Sequence, residues 1–304
     1  MPCSLRVAAI VLICASLLTA CATPSPLILS LGSKVIPHKV DFEEIYKFAE
    51  RSNEAYASKA EIKSRYPYTV RINSPGQTSV QYFLERNDAA RTQFITVRGT
   101  DDRTNLFEDI DFSERKDRKI NIPVHTGFDR IARAIYADVK PYLKPGYKTY
   151  VTGHSLGGAV AALLSIYLIE DGVAVKRVVT FGQPRFTTAA GAKRLSFLPL
   201  TRVVDENDVV PMLPPSFLRD EIYGPYDHTG PEVILLEAQN FVWLPIHDAT
   251  RIALGAFWRS ISFADLTDHH MDNYLRRIAD KLRGATEVAY NEREKFVFAN
   301  KQNE

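Results

Sequence analysis

The sequence predicts an α/β fold, with a mostly parallel sheet covered by helices on both faces. Three observations point to it. From Thr149 onward, short β-branched runs alternate with helix-length stretches. Tyr150-Val151-Thr152-Gly153-His154-Ser155-Leu156-Gly157-Gly158 sets a serine between glycines, after a strand-like run and before an alanine-rich helix. An acidic segment and a histidine pair then follow in that order.

The 304 residues, 45% of them hydrophobic, suffice for one large domain. Lys and Arg number 38 against 36 Asp and Glu, a net charge of +2, so nothing in the charge balance suggests nucleic acid as a partner. Cys3, Cys14 and Cys21 all lie in the first 21 residues, so the body of the chain holds no disulfide and no catalytic thiolate. No metal or cofactor is expected: the histidines lack ligand spacing, and there is no phosphate-cradling glycine loop.

Residues 1–20 read as a secretory signal, with Arg6 as the basic start, Val7 to Leu18 as the apolar run, and small residues after it. The run is short for a membrane span, which takes about 20 apolar residues. Leu18-Thr19-Ala20-Cys21 resembles a bacterial lipobox, which implies lipidation of Cys21 and a membrane anchor. Ala22 is not aspartate, which by the same resemblance points to the outer membrane. Residues 21–37 then form a tether, 38–290 the globular domain, and 291–304 a polar tail.

Asp41 to Ser58 is helical in pattern: Phe42, Ile45, Phe48, Ala49 and Tyr56 recur at three- and four-residue steps, and Asp41 can cap the start. Ser79 to Leu84 and Gln93 to Val97 are strands joined through the turn signal Asn87-Asp88. Asp129 to Leu143 is a helix with Ile131, Ala134, Ile135 and Val139 on one face. Thr149 to Val151 is a strand and Gly157 to Glu170 a helix; Arg177 to Phe181 is a strand and Thr187 to Arg194 a helix; Leu200 to Val204 is again a strand. Phe241 to Phe263 holds Asp248, Arg251 and Arg259, so it reads as a helical insertion rather than a membrane span. Asp268 to Arg283 is the last long helix.

A serine hydroxyl is a weak nucleophile alone. It needs an adjacent base, a rigid exposed turn, and donors for the oxyanion it creates. Gly153 to Gly157 supplies the steric part, a nucleophile elbow on Ser155, with the amide of Leu156 as one oxyanion donor at a helix N-terminus. The order Ser…Asp…His is that of α/β-hydrolases. The acid lies among Asp205, Glu206 and Asp208, where a carboxylate would end a parallel strand. The base is His269 or His270; on one helix the two point about 100° apart, so only one can face the serine.

Six ordered segments resemble the class 3 lipase family, which includes fungal extracellular lipases and plant plastid phospholipases A1. They are Val97-Arg98-Gly99-Thr100 with Asn105 and Asp109, Val124-His125-Thr126-Gly127-Phe128, the elbow, Phe181-Gly182-Gln183-Pro184-Arg185, Arg202 to Pro215, and Tyr226 to Glu232. The likeness runs over about residues 41 to 280 and implies an α/β-hydrolase fold. It implies Ser155 as nucleophile, Asp208 as acid, His269 as base, and Thr100 with Leu156 as the oxyanion hole. Asp205 and Glu206 are then solvated loop carboxylates, His228 and His125 fold residues, and His154 an orienting part of the turn. Asp101 to Lys119 takes the family's lid position, with Leu106 where the family has tryptophan. The implied activity is hydrolysis of lipid acyl esters. Phospholipase A1, feruloyl-type esterase or acyltransferase chemistry uses the same triad, and an inactive envelope-binding lipoprotein is the reading outside enzymes.

Overall fold

The structure, a computed structural model, describes residues 40–76, 78–100, 113–214, 219–220, 223–245 and 267–297. Every described element lies in the unit Asp41–Glu304. Helix α1 (Phe42–Glu54) starts where the Asp41 carboxylate accepts the amide of Glu44, and it buries Phe42, Ile45, Phe48 and Ala49. Helix α2 (Lys59–Arg65) opens on a capping box between Ser58 and Glu61. Strands β1 (Thr69–Asn73), β2 (Tyr82–Asn87) and β3 (Thr92–Val97) form an antiparallel ladder. Strands β4 (Glu114–Lys116) and β5 (Pro123–His125) pair antiparallel, and α3 (Thr126–Val139) follows.

The alternating part is β6 (Lys148–His154), α4 (Leu156–Glu170), β7 (Val175–Phe181), β8 (Thr187–Thr188), α5 (Ala189–Arg194) and β9 (Leu200–Asp205). Strands β10 (Arg219–Asp220), β11 (Gly224–Asp227), β12 (Glu232–Leu235) and β13 (Asn240–Leu244), helix α6 (Met271–Leu282) and strand β14 (Thr286–Glu287) complete the described chain. Among the described residues, one sheet runs β1-β2-β3-β6-β7-β9-β12-β13-β14. Its centre, β3 to β12, is parallel throughout, as expected. A smaller sheet, β10-β11-β8-β5-β4, was not foreseen, because its strands are only two to four residues long.

Helix α4 is buried at every position from Gly157 to Leu168, which explains its all-round apolar sequence. It packs with Ile131 and Ile135 of α3 against Ile95, Val151 and Val178 of the sheet. Each such side chain, fully buried, contributes about 1.5–3 kcal/mol.

Three expectations need correction, and the lid expectation falls mostly outside the described residues. The helix expected over Thr187–Arg194 begins only at Ala189: Thr187 pairs with Val124 in the small sheet, and the Thr188 hydroxyl caps the helix at Gly191. The helical insertion expected from Phe241 instead starts as strand β13, because Phe241 to Leu244 pair residue by residue along β12; residues 246–266 lie outside the described ones. The segment expected as a lid, Asp101–Lys119, is anchored from Glu114 on by its pairing with β5, while 101–112 lie outside the described residues. The tail expected from Asn291 is packed as far as a 3₁₀ turn, Tyr290–Phe296, where Arg293 is buried against Glu206. Cys21 and the signal also lie outside the described residues.

Candidate active site

Strand β6 and helix α4 meet at Ser155, whose φ is +58° and ψ −134°. Such a backbone costs a non-glycine residue about 1–3 kcal/mol and persists only when its surroundings hold it. Here the Ser155 amide donates to the Phe181 carbonyl at 2.9 Å, and its carbonyl accepts the Gly158 amide at 2.8 Å. Gly157 permits the tight packing: a β-carbon there would stand 2.4 Å from the Val97 carbonyl oxygen. Leu156 opens α4, so its amide is among the first-turn donors without an intrahelical acceptor. Thr100 is half-buried beyond β3. Its neighbour Gly99 borders the serine, where a β-carbon would come 3.1 Å from Ser155 Cβ.

Strand β9 ends at Asp205, and the chain turns back on itself as the Asp208 amide donates to the Asp205 carbonyl at 3.0 Å. The buried Asp208 carboxylate is fully engaged. Its Oδ1 accepts the Val210 amide at 2.9 Å. Its Oδ2 accepts the Tyr274 hydroxyl at 2.6 Å and the His269 Nδ1–H at 2.7 Å. That bond sets the tautomer, since a carboxylate only accepts and Nδ1 must bring the proton. In the neutral ring Nε2 is then the acceptor for an incoming proton. Nε2 is buried and has no hydrogen-bond partner among the described residues, so its bond to the Ser155 hydroxyl is the one link of the expected triad that is not closed.

The rival candidates are otherwise occupied. Asp205 pairs with Arg277 at 2.5 Å and Glu206 with Arg293 at 2.8 Å. Neither is solvated as expected, because α6 and the Tyr290–Phe296 turn bring buried arginines to them. Burial pushes the Asp205 carboxyl up, against the pull of Arg277. Burial, then the charges of Asp208 and Asp205, push the Tyr274 phenol well above its usual range, so it stays a donor. His269 closes a 3₁₀ turn and His270 is an extended cap of α6. The base candidate therefore precedes the helix rather than lying on it.

His154 Nε2 lies 2.8 Å from the His269 carbonyl and Nδ1 lies 2.8 Å from Tyr56 Oη. The residue before the serine thus holds the backbone of the candidate base. His228 is a fold residue, as expected. Burial, then the nearby Arg202 and Arg185, push its pKa well down, and its Nε2–H donates to the Pro211 carbonyl at 2.6 Å. Buried Arg185 donates to the carbonyls of Met212 and Pro214, which braces the stretch after Asp208. His125 caps α3 through the Phe128 amide and stacks on that ring.

Sequence reasoning missed the role of Tyr274, although its spacing from His269 was a legible signal. It also missed Gly182: a β-carbon there would stand 2.7 Å from Asp208 Oδ2 and 2.9 Å from His269 Cε1, so only glycine leaves room for the pair. The site thus joins a hydroxyl on a strained turn, a helix N-terminus and a buried imidazole–carboxylate pair beyond the carboxyl ends of β6 and β9. That set suits acyl transfer through a serine ester. Among the described residues no group of three or more His, Cys, Asp or Glu could hold a metal.

Comparison with known proteins agrees with the fold and with the resemblance. Residues 94–218 match the family model for lipase (class 3). A lipase of Rhizomucor miehei is 35% identical over 146 residues, 44% of this chain and 40% of that protein. A secreted mono- and diacylglycerol lipase of Fusarium solani is 31% identical over 172 residues, 51% of this chain and 47% of that one. The chain thus spans less than half the length of these curated relatives. In structure, a lipase from Rhizopus microsporus var. chinensis superposes with a TM-score of 0.63 at 23% identity, over 77% of this chain and 88% of that one. The fold is that of the α/β-hydrolases.

Proposed function

We propose that this chain, which resembles class 3 lipases through residues 94–218, is a serine hydrolase of carboxylic esters, acting on lipid acyl chains. Ser155 Oγ attacks the ester carbonyl while His269 Nε2 takes its proton. Asp208 holds the imidazole tautomer and stabilises the cation. The amides of Leu156 and Thr100 bind the oxyanion, a contribution worth about 10²–10³ in rate per donor. The alcohol leaves with the proton from His269. Water then attacks the acyl-enzyme, with His269 again as base, and frees the acid.

The observation that supports this reading best is the buried 2.7 Å contact of His269 Nδ1 with Asp208 Oδ2, behind a serine at φ +58°. The test is labelling by a fluorophosphonate together with hydrolysis of a p-nitrophenyl ester. Ser155→Ala should abolish labelling and lower kcat about 10⁶-fold, as loss of a triad serine does. Wild-type protein that neither labels nor hydrolyses would leave the envelope-binding lipoprotein reading. A panel of triglyceride, phospholipid and short esters separates lipase from phospholipase A1 or esterase chemistry, and an added alcohol acceptor reveals acyl transfer.

The proposal extends to location. The lipobox-like Leu18 to Cys21 supports acylation at Cys21 and attachment to the bacterial cell envelope, at the outer membrane. Cys21→Ser should release the protein from the membrane fraction; full retention would sink this part.

A further inference from the structure

Helix α6 follows the candidate base and also grips the acid turn. Tyr274 and Arg277 lie three residues apart on it, and both reach the end of β9. Arg277 is 4% exposed. Its Nε faces Asp205 Oδ2 at 2.5 Å, its Nη1 lies 3.0 Å from Glu237 Oε1, and its Nη2 lies 3.8 Å from Asp268 Oδ1. In the Asp205 contact neither atom meets hydrogen-bond geometry, so closeness rather than a directed bond holds the pair.

These carboxylates come from separate stretches of chain. Asp205 closes β9, Glu237 sits in the turn between β12 and β13, and Asp268 immediately precedes His269. Asp205 also shapes the acid turn. Its Oδ1 accepts the Asn207 amide at 3.3 Å, and its carbonyl accepts the Asp208 amide at 3.0 Å. One guanidinium is therefore tied to the turn that presents Asp208 and to the residue beside His269.

The geometry points to Arg277 as a positioning residue for the ester hydrolysis, one that sets the distance between the acid turn and the base turn. The inference rests on the function proposed above. A guanidinium suits the task because it is planar and its donors form a rigid fork, whereas an ammonium is a point charge on a flexible stem. Without the fork, Asp205, which has no exposure to water, loses the guanidinium that faces it, and the ties to Glu237 and Asp268 go with it. The two turns then part, and the Asp208–His269 contact loses its register against Ser155.

The test compares Arg277→Met, Arg277→Lys and the double variant Asp205→Asn with Arg277→Met, all in the full chain. Tm, kcat and KM on a soluble p-nitrophenyl ester, and fluorophosphonate labelling are measured. Arg277→Met should lower Tm and lower kcat about 10- to 100-fold, in line with a misplacement of about 1 Å, while KM changes little. The double variant also removes the buried carboxyl left without its partner, so Tm should recover while kcat stays low. Arg277→Lys should give an intermediate kcat. Should Arg277→Met fail to fold, the other two variants decide. Recovery of kcat in step with Tm makes Arg277 merely structural and overturns the inference, as does wild-type kcat in either single variant. Wild-type protein inert to the probe overturns the proposed function and this inference with it. A reactive wild type with any of the other adverse results overturns the inference alone.

Discussion

Gly182→Ala isolates the steric demand of the acid–base pair. Gly182 has φ +54°, and a β-carbon there would stand 2.7 Å from Asp208 Oδ2 and 3.0 Å from His269 Nδ1. Ordinary contact begins at 3.4 Å, so the carboxylate must retreat by about 0.7 Å, enough to open the hydrogen bond it shares with the imidazole. Neither partner yields easily: the Val210 amide and Tyr274 hold Asp208, and His154 holds the His269 carbonyl. Two costs then separate. The left-handed backbone costs an alanine about 1–2 kcal/mol. The displacement costs about 10²-fold in rate. Gly172→Ala is the control, because Gly172 has φ +78° and a β-carbon there meets nothing within 4 Å. It should lower Tm by about 2–4 °C per kcal/mol of strain and leave kcat on a p-nitrophenyl ester unchanged. Gly182→Ala should lower Tm further and kcat about 100-fold. Wild-type kcat in Gly182→Ala would refute the role given to the Asp208–His269 contact. Equal losses of kcat in both variants would refute the steric account.

Asp208→Asn should lower kcat about 10⁴-fold by admitting the wrong imidazole tautomer, as in other triads. Glu206→Gln, which weakens the Arg293 pair, should lower Tm and spare kcat; the reverse ranking would move the acid to Glu206. Tyr274→Phe removes the phenol donor from Asp208 and should cost about 1.5–3 kcal/mol in urea melts, with kcat falling more than KM rises. Lys281 is buried against the carbonyls of Leu236 and Ala238, and burial lowers its pKa from 10.5 to about 8. Between those values the unfolded chain binds a proton that the folded chain does not, so stability rises with pH across that window. Wild type should therefore gain up to about 3 kcal/mol on Lys281→Met between pH 8 and 10.5; a constant difference in urea midpoints would show an unperturbed amine.

Strands β3, β6, β7 and β9 were legible because each is a short β-branched run, and a buried parallel strand needs little more; β12, which continues the parallel centre, was not read. The small sheet was not, since two- and three-residue strands such as β8 and β4 leave no periodicity to read. The same limit turned Thr187–Thr188 into apparent helix. Phe241 to Leu244 failed for another reason: an apolar run fits a helix or a strand equally well, and its pairing with β12 decides.

For the site, residue type and order alone determined the candidate nucleophile, the helix that follows it and the short set of candidate acids and bases. A hydroxyl between glycines at a strand-to-helix junction is a local feature, and local features are written in adjacent residues. Which carboxylate meets which imidazole is a long-range fact. Asp208 rather than Asp205 takes His269 because Arg277 and Tyr274, some 70 residues further on, occupy the neighbouring positions. Gly182 matters only because Asp208 and His269 fold against it. Contacts between distant segments depend on burial and exclusion in three dimensions, which neighbouring residues along the chain do not set.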